Sequence, residues 1–447
     1  MTKDQARNHQ VHADAGGTAL LTDHYELTMV RAALQSGTAY RRAVFEMFAR
    51  HLPNGRRYGV VAGTGRLLDA LEEFRFGDAE LAFLEREQIA DGPTLDFLRG
   101  YKFGGDIWGY AEGDCYFPGS PILVVESTFA EAVILETIAL SVFNYDCAIA
   151  SAASRMVMAA HGRPLIEMGS RRTHERAAIA SARAAYLAGF TTTSNLRAGY
   201  HFGIPTSGTS AHAFTLLHDD ESQAFAAQIN ALGPGTTLLV DTYDVPRAIR
   251  AAVEQAGPEL GAIRIDSGDL ATVARQARAE LDALGATKTR IVLTGDLDEF
   301  SIAALAAEPA DAYGVGTSLV IGSGAPTAAL VYKLVARADT DGPGPLRPVA
   351  KRSVGKPSRG GRKWATRRLD ESGAAIAEVV TDYEPADAAA GRPLLQLLMR
   401  NGEAVGREPI AAARARHQQV VAELPGHARQ LSRGYPAIPT IFEPDHD

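Results

Sequence analysis

One unit recurs along the middle of this chain and restricts its fold more than any other feature. A short apolar run leads into a polar turn rich in glycine and acids, and helix-spaced apolar residues follow. Its clearest copy is Gly261 to Leu270, Gly-Ala-Ile-Arg-Ile-Asp-Ser-Gly-Asp-Leu. The run reads as a buried strand, and the segment to Leu284 as a helix that Asp269 caps. Pro164 to Met168 runs in the same way into Gly169-Ser170-Arg171-Arg172, and Thr237 to Val240 into Asp241-Thr242-Tyr243-Asp244. Further on, Arg290 to Leu293 leads into Thr294-Gly295-Asp296, and Ala312-Tyr313 into Gly314-Val315-Gly316-Thr317. Strands alternating with helices predict an α/β fold with a parallel sheet or barrel. Chemistry in such folds collects on the loops after the strands, so these turns are the expected walls of one site.

At 447 residues the chain is long enough for two or three domains. With 22% charged and 46% hydrophobic residues, nothing marks it as disordered or fibrous. A net charge of -8 argues against bulk nucleic-acid binding. Two cysteines, Cys115 and Cys147, exclude a disulfide framework and a four-cysteine zinc site, and both read as buried thiols. The most apolar stretch, Ala130 to Ala150, is interrupted by Glu131, Glu136 and Asp146, as in a buried helix and not a membrane span. No signal peptide is legible, so the expectation is a cytoplasmic enzyme that binds neither membrane nor nucleic acid.

Residues 1–18 are polar and read as a flexible tail. In the expected N-terminal α/β domain, residues 19–126, Thr22 or Asp23 caps a helix running to about Gln35. Ala43 to Phe48 alternates like a strand, Leu67 to Phe74 repeats like a helix, and short strands fill Gly104 to Val125. A long helix from near Ser127 opens the barrel, residues 127–335. The rest, 336–447, is expected to supply a basic loop and a segment packing back on the N-terminal domain. Lys351 to Arg368 holds eight Lys or Arg and no acid, either a solvated loop or an arm reaching polyphosphate.

Several turns pair glycine with an acid or hydroxyl. Gly314-Val315-Gly316-Thr317-Ser318 is a candidate phosphate cradle, because glycine lets backbone N–H groups approach an anion. Asp266 and Asp269 suit a vicinal diol, and Asp269 equally suits a helix cap. Arg264 is a lone cation among apolar strand residues; it either pairs with a nearby Asp or grips a substrate carboxylate. His212 lies in Gly203-Ile204-Pro205-Thr206-Ser207-Gly208-Thr209-Ser210-Ala211-His212-Ala213-Phe214, among small hydroxyl residues. About three quarters of an unperturbed imidazole is neutral at pH 7, able to act as nucleophile or base, although a lone histidine is also a common structural residue.

Taken in order, these turns resemble the nicotinate phosphoribosyltransferase family. The resemblance runs over Thr22-Asp23-His24-Tyr25-Glu26-Leu27-Thr28-Met29, Gly169 to Arg172, Gly189 to Asn195 and Gly203 to Phe214. It continues through Asp241 to Asp244, Arg264 to Leu270, Thr294 to Asp296, Gly314 to Ser318 and Tyr332-Lys333-Leu334. It implies a type II phosphoribosyltransferase fold: an irregular barrel beside an N-terminal α/β sandwich-like domain completed by the C-terminal segment, in a homodimer. The implied reaction joins nicotinate to 5-phosphoribosyl 1-diphosphate, with ATP hydrolysis and Mg2+, giving nicotinate mononucleotide and diphosphate. It would be the first step of NAD salvage from nicotinate.

The resemblance makes His212 the residue phosphorylated by ATP, with Asp266 beside the ribose. Tyr25, Thr209 and Arg264 would hold nicotinate. Arg171, Asn195, Asp269, Gly295, Asp296, Gly314, Gly316 and Thr317 would hold the ribosyl donor, and Asp241 and Asp244 are candidate magnesium ligands. Ser210 stands where a larger apolar residue is common, and Ala213 where a hydroxyl is usual. The alternatives are a phosphoribosyltransferase for nicotinamide or quinolinate, a phosphate-binding barrel aldolase or isomerase, and a non-catalytic phosphate sensor. An aldolase would need a Schiff-base lysine at a strand end, where Lys288 and Lys333 are poorly placed.

Overall fold

A computed structural model describes residues 17–342, 344–353, 358–385 and 391–443. Most of the N-terminal tail and positions 354–357 of the basic segment therefore lie outside the described residues.

The recurring unit forms a six-stranded parallel sheet. Its strands, in chain order, are β1 (Leu165–Glu167), β2 (Thr192–Thr193), β3 (Thr237–Leu239), β4 (Ala262–Ile265), β5 (Arg290–Leu293) and β6 (Ala312–Val315). They lie side by side in the order β2-β1-β6-β5-β4-β3. The expected irregular barrel is thus an open, curled half-barrel with β2 and β3 at its edges. Short runs suffice because helices cover the sheet, and a parallel strand buried on both faces needs no alternation. Ile263 and Ile265 of β4, Ile291 and Leu293 of β5 and Val315 of β6 are all fully buried. The two-residue β2 was not legible as a strand; it is held by the Thr191 N–H donating to Leu165 O at 2.9 Å.

A second sheet has seven strands in the order Leu346–Pro348, Leu330–Asp341, Arg41–Ala49, Leu123–Thr128, Asp106–Tyr110, Leu395–Arg400 and Glu403–Ala404. The strand after the half-barrel, Leu330–Asp341, pairs antiparallel with Arg41–Ala49. Leu395–Arg400 from the C-terminal segment pairs with Asp106–Tyr110. The helix expected from near Ser127 is two helices, Phe129–Val133 and Glu136–Ala159, with a break at Ile134 and Leu135. Together they are long and apolar enough to cross a membrane, yet the most apolar window is 67% buried inside the protein. Ile138 to Ala148 packs into the core of the seven-stranded sheet and Ile149 to Ala160 into that of the half-barrel, so one helix serves both cores. At the N-terminal helix His24–Gln35, Asp23 occupies the cap position, but its side chain accepts no capping hydrogen bond.

Sequence reasoning carried little past Arg368, where the structure holds a four-stranded sheet and a helix. The sheet order is Arg392–Pro393, Trp364–Leu369, Ala375–Thr381 and Thr440–Glu443. The basic segment feeds this sheet, and acids on other strands pair with four of its cations. Lys363 pairs with Glu46 at 2.8 Å, Arg362 with Glu126 at 2.9 Å and Arg368 with Glu443 at 3.2 Å, while fully buried Arg367 meets Glu378. The C-terminal helix Ile410–Glu423 bridges the two main units. Its Arg414 donates to Phe190 O at 2.6 Å, and its Arg416 to Glu112 O at 2.6 Å.

Candidate active site

The turns after β1, β3, β4, β5 and β6 converge at the C-terminal edge of the sheet, and hydrogen bonds join them. The backbone N–H of Asp266, after β4, donates to Asp241 Oδ2 after β3 at 2.9 Å, and Ser267 Oγ donates to the same oxygen at 2.6 Å. Thr294, after β5, donates its hydroxyl to Asp266 Oδ1. His212 opens the short helix His212–Leu216, and its Nδ1 lies 3.1 Å from Thr242 Oγ1.

Glycines let these turns touch. A Cβ on Gly314 would stand 2.5 Å from Thr294 Cγ2, and one on Gly169 would stand 2.2 Å from Val320 Cγ1. Gly295 has φ 117°, a conformation that suits glycine, and a Cβ there would lie 2.5 Å from Asp266 O. Gly316 precedes the helical turn Thr317–Val320.

Two cations of this region, Arg264 and Arg171, make no ion pair among the described residues. Burial pulls the Arg264 guanidinium below its ordinary pKa; the Asp266 and Asp241 carboxylates oppose that pull, and Arg171 adds to it. Arg171 is therefore near enough for its charge to act on Arg264. Arg264 Nη1 donates to Thr209 Oγ1, its Nε is buried without a partner, and among the described residues it makes no ion pair. The alternative of simple pairing with an Asp does not hold. A partly desolvated guanidinium beside a second one is stabilised by an anion between them.

Other expected residues also make scaffold contacts. Both ends of the Asn195 amide are used: Oδ1 accepts from the Ala198 N–H at 2.9 Å and Nδ2 donates to Ser170 Oγ at 2.9 Å. Asp269 caps its helix, accepting from the Thr272 N–H at 2.8 Å. Asp244 caps the helix Val245–Ala256, accepting from the Arg247 N–H at 2.9 Å. Among the described residues no three His, Cys, Asp or Glu side chains gather as a metal site. Asp241 keeps one buried oxygen, Oδ1, without a partner, so it can offer a metal a single donor.

Tyr25 sits apart from the strand tips. Its charged neighbours are Glu136, Glu26 and Asp23, and burial followed by these acids pushes its phenol up to about 12. Thr242, Thr294 and Ser267 had no assigned role in the sequence reading, although their turns were singled out. Glu167 went unnoticed: it is buried at the end of β1, accepts from the Gly169 N–H at 2.6 Å and takes a hydrogen bond from Thr193 of β2.

The strand tips form an open face, with Arg171, Asp269 and Asp296 exposed. Concavity by itself points elsewhere. One cavity of about 560 Å³ is lined by Phe48, Arg50, Arg359, Lys363 and Phe442, and one of about 220 Å³ by Glu112, Arg183, His201 and Arg407. Neither includes the imidazole, Arg264, Arg171 or the glycine turns, so the chemistry marks the site better than the volume does.

The model of the nicotinate phosphoribosyltransferase (NAPRTase) N-terminal domain matches residues 20–144. The chain is 59% identical over 431 residues to nicotinate phosphoribosyltransferase pncB1 of Mycobacterium tuberculosis H37Rv, covering 94% of each chain. It superposes on the crystal structure of human nicotinic acid phosphoribosyltransferase with a TM-score of 0.80 at 25% identity, covering 95% of this chain and 97% of that one. A nicotinate-nucleotide pyrophosphorylase from Pyrococcus furiosus shares the fold, with a TM-score of 0.73 at 23% identity over 90% and 94% of the two chains. On this evidence the chain belongs to the nicotinate phosphoribosyltransferase family.

Proposed function

We propose that the chain joins nicotinate to 5-phosphoribosyl 1-diphosphate, releasing diphosphate and nicotinate mononucleotide, and that ATP drives the reaction through a phosphohistidine at His212. The observation that carries this reading is Arg264 at the strand tips, held by Thr209, with Nε buried without a partner and no ion pair among the described residues. Arg264, placed by Thr209, is a planar fork for the nicotinate carboxylate. Arg171 and the N–H groups of Gly314 to Thr317 suit phosphate oxygens.

Breaking the bond from ribose C1 to diphosphate leaves an oxocarbenium-like sugar, which the Asp266 carboxylate stabilises electrostatically. The pyridine nitrogen supplies its lone pair to C1, and the leaving electrons stay on diphosphate. Magnesium, bound chiefly to the substrates' own phosphate oxygens, would draw charge from the leaving group, with Asp241 Oδ1 as its protein donor. The open face supports a homodimer in which a second copy walls the site and brings an aromatic ring such as Tyr25. The reading places the enzyme in the cytoplasm, acting on small molecules.

Loss of free nicotinate, followed with and without ATP, tests the reading. Product must depend on the ribosyl donor, and ATP must raise its yield. His212→Ala should lose both the ATP stimulation and the acid-labile, base-stable label taken from radiolabelled ATP. Label persisting in that variant would move the phosphosite elsewhere.

A further inference from the structure

We propose that Thr242 directs the phosphoryl group to Nε2 of His212, acting as a positioning residue through a hydrogen bond from Nδ1. This rests on the phosphohistidine reading and goes beyond it by naming the nitrogen and the group that selects it. The imidazole meets Thr242 Oγ1 at 3.1 Å through Nδ1, and among the described residues Nε2 has no hydrogen-bond partner. Position 213, next to the histidine, is alanine and brings no hydroxyl, so the ring's hydroxyl comes from the turn after β3.

The neighbouring Asp241 does not hold the ring: its Oδ2 accepts from the Asp266 N–H and the Ser267 hydroxyl, at 2.9 and 2.6 Å, and its Oδ1 has no hydrogen-bond partner. A neutral hydroxyl as partner has two chemical consequences. In the Nδ1–H tautomer it accepts the hydrogen bond from Nδ1, which leaves the lone pair on Nε2. It also adds no negative charge against an approaching triphosphate, as a carboxylate would.

The step balances as follows. The Nε2 lone pair forms the N–P bond, the bond from the γ-phosphorus to the bridging oxygen breaks, and its electrons leave with ADP. Nδ1 keeps its proton, held by Thr242, so Nε2 departs as a neutral ring nitrogen when water later takes the phosphoryl group. The water oxygen ends on phosphate and its proton goes to solvent. Without Thr242 the ring can turn over, exchanging the two nitrogens, and either can reach the phosphorus.

The experiment phosphorylates the full-length chain with ATP and assigns the isomer by phosphorus–proton correlation NMR. Total label is counted in parallel for wild type, Thr242→Ser and Thr242→Val. The expected result is the Nε2 isomer alone in wild type and the Ser variant. In the Val variant, label should fall roughly tenfold, the worth of one hydrogen bond to a group that becomes charged, and the remainder should divide between the nitrogens. A Val variant that melts like wild type and still loses isomer selectivity separates positioning from folding. Wild-type label on Nδ1, or a Val variant with unchanged amount and isomer, overturns the proposal while leaving the phosphohistidine standing. A wild-type chain that takes no label overturns both.

Discussion

Arg264 is the residue on which substrate choice turns. Its Nε is buried without a partner and its Nη1 is committed to Thr209, so the remaining donors are presented in one plane. Arg264→Ala should raise the KM for nicotinate by roughly 30- to 100-fold, the worth of a charge-assisted bidentate contact, and change the KM for the ribosyl donor far less. Steady-state kinetics varying each substrate in turn makes the comparison; equal losses would contradict the carboxylate role. Arg264 was legible in the sequence because a lone arginine inside an apolar run must meet something. The roles of Thr242 and Thr294 were not. Each was visible as a hydroxyl at a strand end, but the partners lie about thirty residues away, and only folding brings them together.

Glycine and buried charge decide how well the elements hold the site. Gly169→Ala would drive a Cβ to 2.2 Å from Val320 Cγ1, parting the β1 turn from the one after β6. Overpacking of that kind should cost about 1–3 kcal/mol and raise the KM for the ribosyl donor, with thermal melting and kinetics as readouts. On the N-terminal helix, Glu26 is fully buried, and burial lifts its carboxyl from 4.5 to about 7. Between those values the folded chain keeps a proton that the unfolded chain has lost. Stability should therefore fall as pH rises through that window, by about 3 kcal/mol, and then level off. Glu26→Gln should remove this slope, so that denaturant titrations at pH 5 and pH 8 bring the variant closer to wild type, or above it, at the higher pH. An unchanged difference between the two chains would count against a buried acid.

The elements of the half-barrel were legible because each obeys one local rule, a buried apolar run ending in glycine and acid. β4 and β5 lie where those runs do. β2 escaped because two threonines carry no periodicity. The irregular barrel was expected, but its opening between β2 and β3 was not legible, because the order of strands in space is not written in any one run. Past Arg368 the strands alternate weakly, and charges at the start of that region pair with acids far along the chain, as Lys363 does with Glu46 and Arg368 with Glu443. Local pattern cannot show such a pair.

At the scale of the whole molecule, the C-terminal helix ties the half-barrel to the rest of the chain. His417 is buried at this joint, its Nδ1 at 3.0 Å from Gly113 O and its Nε2 at 3.0 Å from Ser154 Oγ. Desolvation holds its imidazole down at about 4, against 6.5 for the free side chain. In that interval the unfolded chain binds the proton and the folded chain does not. The contribution is intact above pH 6.5 and is lost as pH falls toward 4, by about 3 kcal/mol. His417→Gln should cost stability at pH 7 yet show a smaller loss on acidification, as read from unfolding curves across that range.

Where a pyridine nucleotide sits is decisive, because five turns with Arg264 and Arg171 make one candidate site while cavities of about 560 and 220 Å³ lie elsewhere. A crystal structure with nicotinate mononucleotide measures this directly. The expected result is the carboxylate on Arg264, the ribose beside Asp266 and the phosphate against Gly314 to Thr317. A nucleotide lodged instead in the cavity lined by Arg50, Lys363 and Phe442, with the strand tips empty, would contradict it.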